Sequence, residues 1–183
     1  MFKVVYADPP WTYKDSGSTR AADSKYPVMS NYNIMRLPVE HIVLPDAFCF
    51  LWVTSPLLPE GIATLESWGF RYVTKAFTWV KLAKNGAPKL GMGHYTRANS
   101  EDCLLGVRGR PKRVDASVSQ VVIEPLGKHS QKPATVRDRI VQLTGDCPRI
   151  ELFARQRYDG WHALGYDVGT GEITKSLWEL FNV

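Results

Sequence analysis

Seven consecutive apolar residues, AFCFLWV at 47–53, do most to limit what this chain can fold into. A strand with one wet face alternates apolar and polar side chains. An unbroken run of this kind belongs in a sheet covered on both faces. KVVYA (3–7) reads the same way, and RIELFA (149–154) and WHALGYDV (161–168) read as closing strands. RYVTKAFTWVK (71–81), DCLLGVRG (102–109) and QVVIEP (120–125) supply three more. Covering helices are also legible. In SPLLPEGIATLESWG, Leu58, Ile62 and Leu65 fall on one helical face and Gly69 is a natural stop. In KPATVRDRIVQLTG (132–145), Pro133 suits the first turn, Val136, Ile140 and Leu143 share a face, and Gly145 ends the helix. EITKSLWELF predicts a short amphipathic helix near the end. Strands alternating with helices predict an α/β fold, with a mostly parallel sheet and helices on both faces. With no repeat or linker in 183 residues, a single domain over 1–183 is expected.

Composition narrows the class. A hydrophobic content of 44% and a charged content of 22% are ordinary for a soluble protein. No apolar run is long enough to span a membrane, and MFKVVYADPP lacks the basic and apolar regions of a secretory signal. Cys49, Cys103 and Cys147 are odd in number and lack CxxC spacing, so reduced core cysteines and a cytoplasmic setting are expected. His41, His94, His129 and His162 are too scattered to suggest a metal site. The charge is uneven. Between Arg71 and Arg113 there are ten Lys/Arg and two Asp/Glu, whereas 158–183 holds one Lys and four acids. A basic segment inside a folded domain points to a polyanionic partner such as nucleic acid, or else to a solvated loop.

Ligands of open α/β sheets sit beyond the carboxyl ends of the strands, and ADPPW (7–11) stands at such an end. There is no GxGxxG, GxxxxGK[ST], HExxH or GxSxG. Two successive prolines stiffen the segment and remove two N–H donors. Asp8 offers an anionic acceptor and Pro9 a carbonyl beside it. Two adjacent acceptors match the two donors of an NH₂ group, and Trp11 adds a flat apolar face. That set suits a planar heterocycle with an exocyclic amine, and adenine is one. The plainer reading is a proline-rich turn whose Asp bonds its own backbone, with Trp11 in the core.

The ordered set ADPPW, YPVMS, CFLWV, WVK, GHYTR…EDCLLGVRG, HSQKP and ELFAR resembles the MT-A70 (seventy-kilodalton) family of N6-adenine methyltransferases over most of the chain, from about Val4 to Asp167. The resemblance implies a Rossmann-like class I methyltransferase fold in permuted (β-class) motif order. The catalytic strand comes first and the cofactor strand last. It implies S-adenosyl-L-methionine as cofactor. Asp8 and Pro9 would accept hydrogen bonds from the adenine amine, Pro10 would hold the turn, and Trp11 would pack on the base. At the cofactor it implies Asp8, Lys81, His129, Ser130, Lys132, Glu151, Phe153 and Arg155. Asp167 belongs there too, but in LGYD where close relatives carry Asn followed by Gln or Glu. Tyr166 in place of that Asn leaves the adenosine contacts open. At the substrate it implies Trp11 and Tyr13, with Lys84, Lys89, His94, Tyr95 and Arg97 on the basic loop. The polar segment 12–26 looks like a gate over the substrate.

The resemblance therefore implies methylation of adenine N6 in DNA by a monomer or homodimer, with no membrane partner. RNA is the first alternative. A catalytically silent nucleic-acid-binding partner subunit is the second, and the intact DPPW counts against it. Methylation of a protein amide is weaker still, because such enzymes carry Asn at the first position of the tetrad.

Overall fold

A computed structural model describes residues 1–13, 29–91, 93, 95–127 and 131–182. The gate expected over 12–26 lies largely outside the described residues, as do His94, His129 and Ser130.

Seven strands form one sheet: β1 (Phe2–Ala7), β2 (Val43–Val53), β3 (Arg71–Leu82), β4 (Ser100–Arg108), β5 (Val121–Pro125), β6 (Arg149–Leu152) and β7 (His162–Leu164). Their order is β5-β3-β4-β2-β1-β6-β7. β4 runs antiparallel to both neighbours, and the other four pairings are parallel. The sheet is thus mostly parallel, as the apolar strands predict.

The alternation along each strand builds two cores. Val5, Ala7, Cys49, Leu51, Val53, Leu104, Ile150 and Leu152 face one side. There they meet α1 (Asn31–Met35), α2 (Leu58–Ser67) and α4 (Ile173–Phe181) through Ile34, Leu65, Ile173 and Leu177. Val4, Tyr6, Phe48, Phe50, Trp52, Phe77, Trp79 and Cys103 face the other side, against Val136 and Ile140 of α3 (Ala134–Thr144). Gly69 ends α2 with φ +82°. Its N–H bonds the Glu66 carbonyl and the Phe70 N–H bonds that of Leu65, a C-terminal motif that only glycine enters without strain.

The boundaries differ from expectation at several places, and β7 spans only His162–Leu164 of the expected 161–168. β2 starts four residues early, where Val43 pairs with Phe2. α1 was not anticipated; Ser30 caps it by accepting from the Asn33 N–H, a signal already present in SNYN. β6 stops at Leu152 because Phe153 turns into the left-handed region at φ 61°. That turn carries the chain out of the sheet at its carboxyl end.

Candidate active site

The parallel strands β1, β2, β6 and β7 all end on one side of the sheet, and the residue after each lines one cavity of about 630 Å³. Those residues are Asp8, Thr54, Phe153 and Gly165. Pro9, Pro10, Trp11 and Tyr13 continue the wall from β1, and Arg155, Tyr166 and Asp167 continue it from β6 and β7. Glu101 enters from the start of β4 and Lys132 from just before α3.

The DPPW turn is locally determined. The Trp11 N–H donates to the Pro9 carbonyl at 2.9 Å, a three-residue turn centred on Pro10, whose ring supplies the φ that such a turn needs. One lone pair of the Pro9 carbonyl remains. Trp11 donates its indole N–H to the Trp52 carbonyl at 2.8 Å, while its ring packs on the core and lines the cavity. It is wall and core at once. Asn31 of α1 holds the next residue, accepting from the Thr12 N–H at 2.9 Å and donating to its carbonyl at 3.0 Å. The Tyr13 hydroxyl pairs with that of Thr54 at 2.7 Å across the cavity mouth.

Beside this turn lies a chain of alternating charges. Lys132 donates to both Asp8 oxygens at 2.7 Å and pairs with Glu101 at 3.1 Å. Glu101 pairs in turn with Lys81. The Lys132 ammonium lies 5.4 Å from the centre of the Trp52 ring. Burial works against the charge on Lys132, but Asp8 and Glu101 more than offset it and hold its pKa above the ordinary lysine value. Burial likewise opposes ionisation of Glu101, yet Lys132 and Lys81 together bring its pKa below the usual carboxyl value. Lys132 is thus held as an ammonium in a nearly closed position.

The opposite end of the cavity has different chemistry. Phe153 sits in its left-handed turn, and Gly165 lies so close to the next residue that a Cβ there would be 2.2 Å from the Ala154 carbonyl oxygen. The Ala154 N–H bonds the Leu164 carbonyl at 2.9 Å, so β6 and β7 leave the sheet together. Asp167 and Glu172 bring two carboxylates to this end. One end of the cavity thus holds carboxylates alone and the other an ammonium set between two carboxylates, which suits an elongated ligand with hydroxyls at one end and charged groups at the other.

The structure therefore brings Asp8, Pro9, Pro10, Trp11, Tyr13, Lys132, Phe153, Arg155 and Asp167 together around one space. It does not bring Glu151 there. That carboxylate makes a two-pronged pair with Arg137 of α3 at 2.7 and 2.5 Å, beneath the Tyr6 ring. Even-numbered Leu152 and odd-numbered Glu151 point to opposite faces, and Glu151 points to the α3 side. Lys81 stands behind Glu101 and reaches the cavity only through it. Lys84 and Lys89 line a separate groove, and Tyr95 and Arg97 are exposed on the β3–β4 loop. Sequence reasoning missed Glu101, Thr54 and Glu172. EDCLLG carried a signal for Glu101, an acid at the start of a buried strand, but its partners come from distant segments.

The sequence profile of the MT-A70 family matches residues 2–167. The type II methyltransferase M.MunI of Mycoplasma sp is 32% identical over 192 residues, covering 94% of this chain and 80% of that protein. The human N(6)-adenosine-methyltransferase catalytic subunit METTL3 is 28% identical, covering 91% of this chain and 30% of that protein. An MT-A70-like N(6)-adenosine-methyltransferase of Arabidopsis thaliana is also 28% identical, over 90% of this chain and 23% of its own length. Fold, motif order and a match that runs from the first strand to Asp167 agree: the chain belongs to the MT-A70 family of methyltransferases.

Proposed function

We propose that this chain, acting as one catalytic domain, transfers a methyl group from S-adenosylmethionine to the N6 amine of adenine in DNA. The observation that carries the reading is the pair of acceptors, the Asp8 carboxylate and the Pro9 carbonyl, at the open end of β1 in a cavity walled by Trp11. When bound, S-adenosylmethionine supplies an electrophilic methyl on a sulfonium. Asp167 and Glu172 suit its ribose hydroxyls, and Lys132 meets its carboxylate only by giving up one of its bonds to Asp8 or Glu101. Arg155 and Phe153 line the wall between those ends.

The chain's own part is positioning and charge. An adenine amine delocalises its lone pair into the ring and is a weak nucleophile. Two acceptors that bind its two hydrogens draw the nitrogen out of conjugation and aim the lone pair. As the nitrogen gains positive charge, the Asp8 carboxylate is already in place to stabilise it. Trp11 and Pro10 keep water from the base, and Lys132 fixes the rotamer of Asp8.

DNA is favoured over RNA by the relatives. M.MunI, matched over most of both chains, is a type II methyltransferase, whereas the N(6)-adenosine-methyltransferases named above are matched over less than a third of their length. Nucleic acid as partner is also supported by Lys84, Lys89 and Arg97 on one exposed loop. The test is to incubate the protein with labelled S-adenosylmethionine and equal amounts of DNA and RNA, then digest both to nucleosides. Label in N6-methyladenine from DNA is the expected result. Label confined to RNA would reassign the substrate, and label in neither would overturn the reading.

A further inference from the structure

The carboxyl ends of β3 and β5 carry a second, smaller groove of about 490 Å³. Leu82, Pro88, Leu90 and Leu126 supply apolar lining, Lys84 and Lys89 are its charged residues, and no carboxylate lines it among the described residues. Its wall is built rather than loose. The Ala83 N–H bonds the Ala87 carbonyl at 2.8 Å, and the Lys89 N–H bonds the Lys81 carbonyl at 2.8 Å. The Ala87 N–H also donates to the Asn85 side chain at 3.2 Å. Gly86 makes the turn at φ +80°.

β1, β3 and β5 run parallel, so this groove opens at the same end of the sheet as Asp8. Three strand spacings separate β1 from β3 and four separate it from β5. At about 4.8 Å each, that is roughly 14–19 Å. A duplex strand advances about 3.4 Å per nucleotide, so the groove lies about four to six steps from the target. The basic run at 108–113 lies at the other end of β4, and part of it is already engaged, since the Arg108 guanidinium donates to the Glu40 carbonyl at 2.8 Å. Its position at that end, opposite the groove, keeps it from the same stretch of strand.

We propose that this groove is a subsite for a flanking nucleotide of the substrate strand, its base on Leu82, Leu90 and Leu126 and its phosphates at Lys84 and Lys89. An apolar floor bearing two cations and no acid complements a nucleobase on an anionic backbone, and not a neutral or cationic peptide. The proposal rests on the nucleic-acid reading above.

The test uses duplex DNA with one target adenine, selected by label transfer from a random-sequence pool. Single abasic replacements are walked along both flanks, and binding is followed by anisotropy for the wild type and for Leu90→Ser. Leu90 is 70% exposed, so the change leaves the core untouched. At one or two positions in the four-to-six window, the abasic replacement should weaken the wild type about tenfold and Leu90→Ser less than about threefold. Lys84→Ala with Lys89→Ala should lower the salt slope by about two units. Label transfer with abasic losses equal in wild type and variant throughout the window, or with an unchanged slope, overturns the groove alone. No transfer to any member of the pool overturns the DNA reading, and the groove's assignment with it.

Discussion

Both oxygens of Asp8 accept from Lys132, so an amine arriving at Asp8 takes up the lone pairs that the ammonium leaves. Asp8→Asn would turn one acceptor into a donor facing two sets of donors. Transfer should fall by about 10²–10³-fold, while the cofactor's Kd changes by less than about tenfold. Label transfer and calorimetry check this, and a variant keeping a tenth of the activity would remove Asp8 from its role. The folded pKa of Glu101 is below the unfolded value because two lysines face it, despite its burial. The stability it adds is complete above roughly pH 4.3 and is lost as pH falls through the lower folded value. Glu101→Gln should therefore destabilise the protein by about 1–3 kcal/mol at pH 7, with the gap from wild type closing below about pH 4. Urea unfolding at the two pH values measures it. A gap independent of pH would show that shape rather than charge holds the lysines.

At the scale of elements, α3 is clamped to β6. Arg137 reaches Glu151 with two hydrogen bonds and lies 5.1 Å from the centre of the Tyr6 ring and 4.0 Å from that of Tyr158. The Tyr158 hydroxyl accepts from Gln131, next to Lys132, and from Gln156, next to Arg155. The loop after β6 and the approach to α3 thus meet at one aromatic residue. Removing one partner of a buried ion pair leaves the other uncompensated, so Glu151→Met should cost about 3–5 kcal/mol. The double change Arg137→Met, Glu151→Met should recover most of it, because two apolar side chains need no partner. Thermal unfolding follows the stability. If Glu151 is structural, the double variant keeps the cofactor's Kd within about threefold, under 1 kcal/mol. A stable double variant that no longer binds cofactor would return Glu151 to the binding residues.

On the scale of the whole molecule, a stacked and paired adenine cannot bring its amine to acceptors inside a walled cavity. A duplex substrate must give up the base, at a cost of a few kcal/mol. Placing the target opposite an abasic site removes part of that cost, so this duplex should bind about tenfold or more tightly than the matched one. Trp11→Ala removes stacking worth roughly 1–3 kcal/mol and should lose most of the activity on matched DNA, with a smaller loss on the disrupted duplex. Anisotropy and label transfer on both duplexes test this. Equal affinity for both, with Trp11→Ala fully active, would leave the tryptophan only its bond to Trp52 and its place against the core.

What the sequence determined by itself is local. Period-two and unbroken apolar runs set the strands, and helical spacing with terminal glycines set α2 and α3, because burial and backbone sterics act within a few residues. The DPPW turn is local in the same sense: Pro10 and the Trp11 N–H need nothing beyond the tetrapeptide. Only the tertiary structure decided which charges meet. Lys132 lies 124 residues from Asp8 in the chain, and Arg137 lies 14 from Glu151. The family resemblance of ELFAR grouped Glu151 with the cofactor residues, but strand alternation sends its side chain to the α3 face, where Arg137 compensates its charge. Glu101, an unremarked acid in a basic stretch, becomes the link between two lysines because β4 enters the sheet antiparallel and brings its first residues to the carboxyl ends of the others. Such pairings depend on strand order and direction, and those follow from how the two cores close rather than from any one segment.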